Sequence, residues 1–244
     1  MSCSQEHHSH VHGHSHDPDD DSHIHPDESP SDLLYSSIAR DQVTCLNYNP
    51  STSKCSSPGE GVIKPWHLRN DEETYIESES DDGQLLLRIP FEGGSSCKLR
   101  SLLLKAGPGQ HTPNAVTLFI NQDPPLDFSD DLEARSHLKP GTGPSAAAAP
   151  TQRLESIAAD SKEVAEYPLR VARFSNVRDV TLFIDGPLER GSGSSTRIYY
   201  VGFRGEVQQY HRSGPANVVY EATPQLKDHN KVPETKVGAG GLGH

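Results

Sequence analysis

The sequence predicts an all-β protein, a sandwich or a barrel. Three observations carry that expectation. Short apolar runs rich in β-branched and aromatic residues recur along the chain, Gly, Pro and Asp punctuate them, and no segment sustains a helical apolar period.

In chain order, Ser31 or Asp32 is placed to cap a helical turn through Leu33, Leu34 and Ile38. Gln84–Phe91 then alternates Leu85, Leu87, Ile89 and Phe91, between Asp81-Asp82-Gly83 and Gly93-Gly94. Lys98–Ala106 is a second strand, closed by Gly107-Pro108-Gly109, and Val116–Asn121 a third, closed by Asp123-Pro124-Pro125. Val180–Asp185 ends at Gly186-Pro187, and Arg197–Phe203 and Val218–Glu221 complete the series. The pentapeptide Val-Thr-Leu-Phe-Ile occurs twice, at 116–120 and 180–184. Two strands in similar, doubly covered surroundings explain it, with internal duplication as the alternative. Residues 124–166 interrupt the strands with low-complexity sequence around Pro140–Pro150, which reads as an insertion with one helical turn at Ser161–Glu166.

Composition narrows the function classes. The 244 residues carry 22 Lys+Arg against 34 Asp+Glu, a formal −12. Eight of those acids lie in residues 1–32, which hold no Lys or Arg, so the remaining chain is only −4. A body this close to neutral does not suit general nucleic-acid binding or docking on anionic lipid. No apolar run approaches the ~20 residues of a membrane span, and no secretory signal is expected. Cys3, Cys45, Cys55 and Cys97 form no C-x-x-C, so reduced intracellular thiols are expected, with Cys45 and Cys97 as small buried residues.

The stretches Leu34–Asn47, Val62–Arg69 (VIKPWHLR), Glu79–Phe91, Lys98–Gly107, Val116–Asn121, Phe174–Asp185, Thr196–Glu206 and Val219–His229 fall in one order over about four-fifths of the chain. Together they resemble the PITH domain family, and the His-rich start resembles its stand-alone members. The resemblance implies a jelly-roll β-sandwich similar to galactose-binding-like domains. It also implies an interaction module, in the thioredoxin-linked members one that docks on the 26S proteasome; the chain is accordingly expected to be a non-enzymatic adaptor that binds the 26S proteasome, a monomer in cytoplasm and nucleus. On this reading residues 1–32 are a disordered acidic leader, 33–232 the domain, and 233–244 a flexible Gly-rich tail.

Candidate chemistry follows from particular residues. His8, His10, His12, His14 and His16 alternate with one spacer, so several imidazoles can reach one Zn²⁺, Ni²⁺ or Cu²⁺ ion, although a solubilising tail is the leading reading. The thiols lack the setting of a redox catalyst, no hydrolase or phosphate-loop motif is present, and no cofactor is expected. Trp66 is the only tryptophan; it either anchors its loop to the core or, as the alternative, stacks on a sugar-like ligand. The chain ends Gly-Gly-Leu-Gly-His, and glycine threads grooves where side chains clash. One hypothesis seats this tail in a partner's groove through Leu242, Gly243 and His244, with Leu242 in a pocket and His244 near or on a metal; the other reading is a disordered end.

Overall fold

A computed structural model of the chain describes residues 29–94, 96–140, 149–159, 162–187 and 194–208. Strand β1 (Thr44–Leu46) precedes helix α1 (Pro58–Val62). The start of α1 is set locally: Ser57 accepts the Glu60 N–H on its side-chain oxygen, and Pro58, which has no N–H to satisfy, follows it. Strands β2 (Ile76–Glu77), β3 (Leu85–Pro90), β4 (Ser96–Ala106) and β5 (Ala115–Ile120) come next. Helix α2 (Leu132–Ser136) precedes β6 (Gln152–Glu155), β7 (Ala165–Pro168), β8 (Asp179–Ile184) and β9 (Arg197–Gln208).

The strands form two antiparallel sheets, ordered β1-β3-β8-β5-β6 and β2-β9-β4-β7. From β1 to β9 the chain changes sheet at every step except β5 to β6, which gives the jelly-roll sandwich its non-local pairing. Between the sheets lies the main core. Leu85, Leu87 and Ile89 of β3, Val116 and Leu118 of β5, and Val180, Leu182 and Ile184 of β8 face Leu99, Leu102, Leu104, Ile198, Val201 and Phe203 of the other sheet. Each such buried side chain contributes about 1.5–3 kcal/mol of transfer free energy. Two register shifts in the β4–β9 pairing, at Leu99/Ser101 and Lys105/Ala106, keep apolar residues inward although neither strand alternates strictly.

The repeated pentapeptides are paired with each other. Val116 faces Ile184, Leu118 faces Leu182 and Ile120 faces Val180, so the second copy runs back along the first. Both faces are covered, as expected of two strands in matching surroundings. Their valines and leucines enter the main core, while Phe119 and Phe183 join Leu86 on the outer side beneath Leu126, Phe128 and Leu132.

The structure corrects several local expectations. The N-terminal turn is a 3-10 turn at Tyr35–Ser37, and no side chain caps it. Asp32 is instead drawn away by charge: its carboxylate meets Arg204 Nε at 2.9 Å and Arg100 at 3.7 Å. Leu34 N–H donates to Phe203 and Gly205 N–H to Asp32, so residues 32–34 lie along β9. The 124–166 segment carries α2, β6 and the first half of β7, and the helical turn expected at Ser161–Glu166 is absent in its described part, where β7 begins at Ala165. Gln152–Glu155 and Ala165–Pro168 are edge strands, and one-sided pairing stabilises them despite their mixed composition. Strand β9 runs on to Gln208, five residues past Phe203. Val218–Glu221 lies outside the described residues.

Candidate functional site

Loop 64–75 carries Trp66 and is fastened by two buried ammonium groups. Lys64 is 4% exposed, and its Nζ donates to the Thr74 carbonyl (2.7 Å), to Asp71 Oδ2 (2.9 Å) and to the Asp71 carbonyl (3.2 Å). Lys105 rises from β4, also buried, and donates to the carbonyls of Asn70 (2.9 Å) and Lys162 (3.1 Å), with Glu72 at 2.9 Å. Asn70 Oδ1 in turn accepts the Val164 N–H, joining the loop to the segment before β7.

Asp71 is the hub of this loop. Burial raises the energy of its carboxylate, but the bonds from Lys64, the Glu73 N–H and Thr74 outweigh that and hold its pKa at about 2, below the ordinary 3.8. The charged form is therefore the structural one.

At the tip, Pro65 introduces a 3-10 turn at Trp66–Leu68. Trp66 is half-buried and outside the main core, so it anchors the loop less deeply than a core tryptophan. Arg69 lies over one face of the indole, 4.3 Å from the ring centroid, and its Nη1 donates to the Trp66 carbonyl. One of the two faces a sugar would use is thus already taken. His67 and Leu68 are exposed.

A second polar cluster joins the loop after β4 to the segment before β9. His111 Nδ1 lies 2.9 Å from the Ser195 carbonyl and 3.1 Å from its hydroxyl, so Nδ1 carries the proton. The Ser195 hydroxyl donates to Glu77, which also faces Arg197 Nε at 3.2 Å. Serine, imidazole and carboxylate meet here, but not in a relay. The carboxylate holds the serine rather than orienting the imidazole, and it is already committed to a guanidinium. Ser195 is only 5% exposed. This arrangement fastens two loops to β2. Sequence gave no sign of it, since His111 and Ser195 are 84 positions apart.

Burial lowers the reactivity of the described thiols to different degrees. Cys45 and Cys97 are buried as expected; burial pushes Cys97 up to about 11 and Cys45 higher still. Cys55, half-buried, is raised by burial and by Glu60, with Lys64 opposing. Among the described residues no group of three or more His, Cys, Asp or Glu is arranged to hold a metal ion. His8, His10, His12, His14, His16, Leu242, Gly243 and His244 lie outside the described residues. No described helix is long and apolar enough to cross a membrane.

Comparison with known proteins adds the following. The PITH domain model matches residues 25–224. A PITH domain-containing protein of Schizosaccharomyces pombe is 32% identical over 216 residues, 87% of this chain and 91% of its own. PITH domain-containing protein 1 of Danio rerio is 32% identical and that of Homo sapiens 30% identical, each over 80% of both chains. Among solved structures, a family 32 carbohydrate-binding module from a Clostridium perfringens glycoside hydrolase is similar with a TM-score of 0.44. It is 9% identical, covering 70% of this chain and 95% of the module.

Proposed function

Because the chain belongs to the PITH domain family, we propose that it is a non-enzymatic interaction module, an adaptor that binds the 26S proteasome. One observation carries the non-enzymatic part. The buried ionisable groups at the loops are engaged in fastening: Lys64 and Lys105 hold loop 64–75, and Glu77 holds Ser195 and Arg197. A reaction centre needs at least one such group turned toward a substrate. Groups tied to neighbouring carbonyls and side chains instead give stiff loops on a stiff sandwich, which suits display of a surface to another protein.

Proteasome binding is what the family resemblance implies. The Gly-rich end supplies a second contact, with Leu242 and Gly243 in a groove and His244 beside a metal of the partner. The adaptor acts as a monomer in cytoplasm and nucleus. Capture of purified 26S particles by the full chain tests the reading directly. Deleting residues 233–244 is expected to weaken capture strongly, and His244→Ala to reproduce most of that loss. Full-strength capture by the deletion removes the tail from the interface, and no capture by the intact chain removes the adaptor reading.

A further inference from the structure

A single exposed leucine on a protein surface needs no explanation. Leu68, 44% exposed, differs in what stands beside it and in what holds it out. Trp66 and Arg69 are stacked next to it, and Arg69 pairs with no carboxylate among the described residues. Of the loop's three acids, Asp71 and Glu72 each face a buried lysine, and Glu73 makes no ion pair with Arg69.

Holding this tip in place is costly. Two ammonium groups are withdrawn from water to grip loop carbonyls, a large desolvation for a surface turn. In return the tip has one shape, with Leu68 N–H bonded to Pro65, Arg69 N–H to Trp66 and Asp71 N–H to Leu68. A pre-shaped tip loses little conformational freedom when it binds. Trp and Arg are also the residue types that dominate interface energetics when a partner excludes water from them.

We propose that Trp66, Leu68 and Arg69 form a docking surface for a proteasomal subunit that offers an apolar pocket to Leu68 and a carboxylate to Arg69. The pocket takes the side chain the fold leaves in water, and the carboxylate supplies the ion pair that the guanidinium lacks. Stacking on the indole leaves the outer N–H groups of Arg69 free to receive it. The identity of the partner rests on the adaptor reading; the chemistry of the surface does not.

The test uses the full chain and purified 26S particles, comparing wild type, Leu68→Ser and Arg69→Glu. Thermal midpoints serve as the control for folding. Both side chains lie at the tip, so the midpoints are expected within about 4 °C of wild type, the Arg69 change reflecting its lost stacking. Each substitution is expected to weaken capture roughly tenfold or more, with Arg69→Lys retaining part of the binding. Capture by Leu68→Ser or Arg69→Glu at wild-type strength overturns the docking surface and leaves the adaptor reading standing. Failure of the wild-type chain to capture particles overturns both.

Discussion

Replacing Lys105 by Met isolates the work of one buried charge. The side chain keeps its length and packing while the ammonium disappears. Lys105 Nζ has three partners: two carbonyls, of Asn70 and Lys162, and the carboxylate of Glu72. Glu72 is 65% exposed, so water screens that ion pair to no more than about 0.5 kcal/mol. The two carbonyl bonds are charge-assisted, part-buried, and worth about 1.5–3 kcal/mol each before costs. Removing the ammonium also relieves its own desolvation, which offsets part of that loss, and about 2–3 kcal/mol of net destabilisation remains. For a domain of this size the thermal midpoint should fall by roughly 5–10 °C. Glu72→Gln should move it by no more than about 2 °C. Urea unfolding of the two variants measures both numbers, and amide exchange across residues 70–74 should accelerate in Lys105→Met alone. If Glu72→Gln costs as much as Lys105→Met, the ion pair carries the loop and the carbonyl argument is wrong. A neutral Lys105→Met would refute any fastening role.

Four further outcomes are expected. In Lys64→Met the Asp71 carboxyl, held at about 2 in the native chain, should titrate nearer 3.8 by NMR. Since its folded pKa is depressed, the wild-type chain should lose this increment of stability as pH falls from 4 toward 2, and the variant should not. Asp179 is the opposite case: burial, only partly offset by Arg88, raises its pKa. Its contribution is present at low pH and lost on raising pH, so Asp179→Asn should compare better with wild type at pH 7 than at pH 3 in urea titrations. Leu118→Ala and Leu182→Ala, which face each other across the repeat, should each cost about 3–5 kcal/mol and agree within roughly 1 kcal/mol. In a Cys3→Ser chain at neutral pH, a thiol reagent should label Cys55 slowly and leave Cys45 and Cys97 unlabelled until denaturant is added.

Central strands were the legible part of the fold. β3, β5 and β8 are paired on both sides and covered on both faces, so most positions favour an apolar residue, and the pattern survives in sequence. The edge strands β1, β2, β6 and β7 were not legible. Two to four residues long, they are selected by one neighbour, and a segment such as Gln152–Glu155 carries no periodicity of its own. The candidate site was legible only as far as Trp66. Lys64 and Lys105 look like any solvated lysine in sequence. Their burial depends on carbonyls up to 57 positions away, and hydrogen bonds to backbone leave no residue-type signature. Asp32, grouped with the acidic leader by composition, is bound to the sandwich by Arg204 and Arg100, again through partners far along the chain.

The pairing of the two Val-Thr-Leu-Phe-Ile copies has a consequence beyond the folded monomer. A segment that recognises its own sequence within one chain recognises it equally well in another chain. In the native sheet that capacity is hidden, because β8 lies between β3 and β5 while β6 guards the far side of β5. The guard is slight: β6 meets only Ala115–Leu118, through four residues. Any opening of β6 presents a self-complementary strand of high β-propensity, without charge or proline, to neighbouring molecules. The same symmetry that knits the sheet therefore marks residues 115–120 as the point from which cross-linked or swapped assemblies would grow at high concentration.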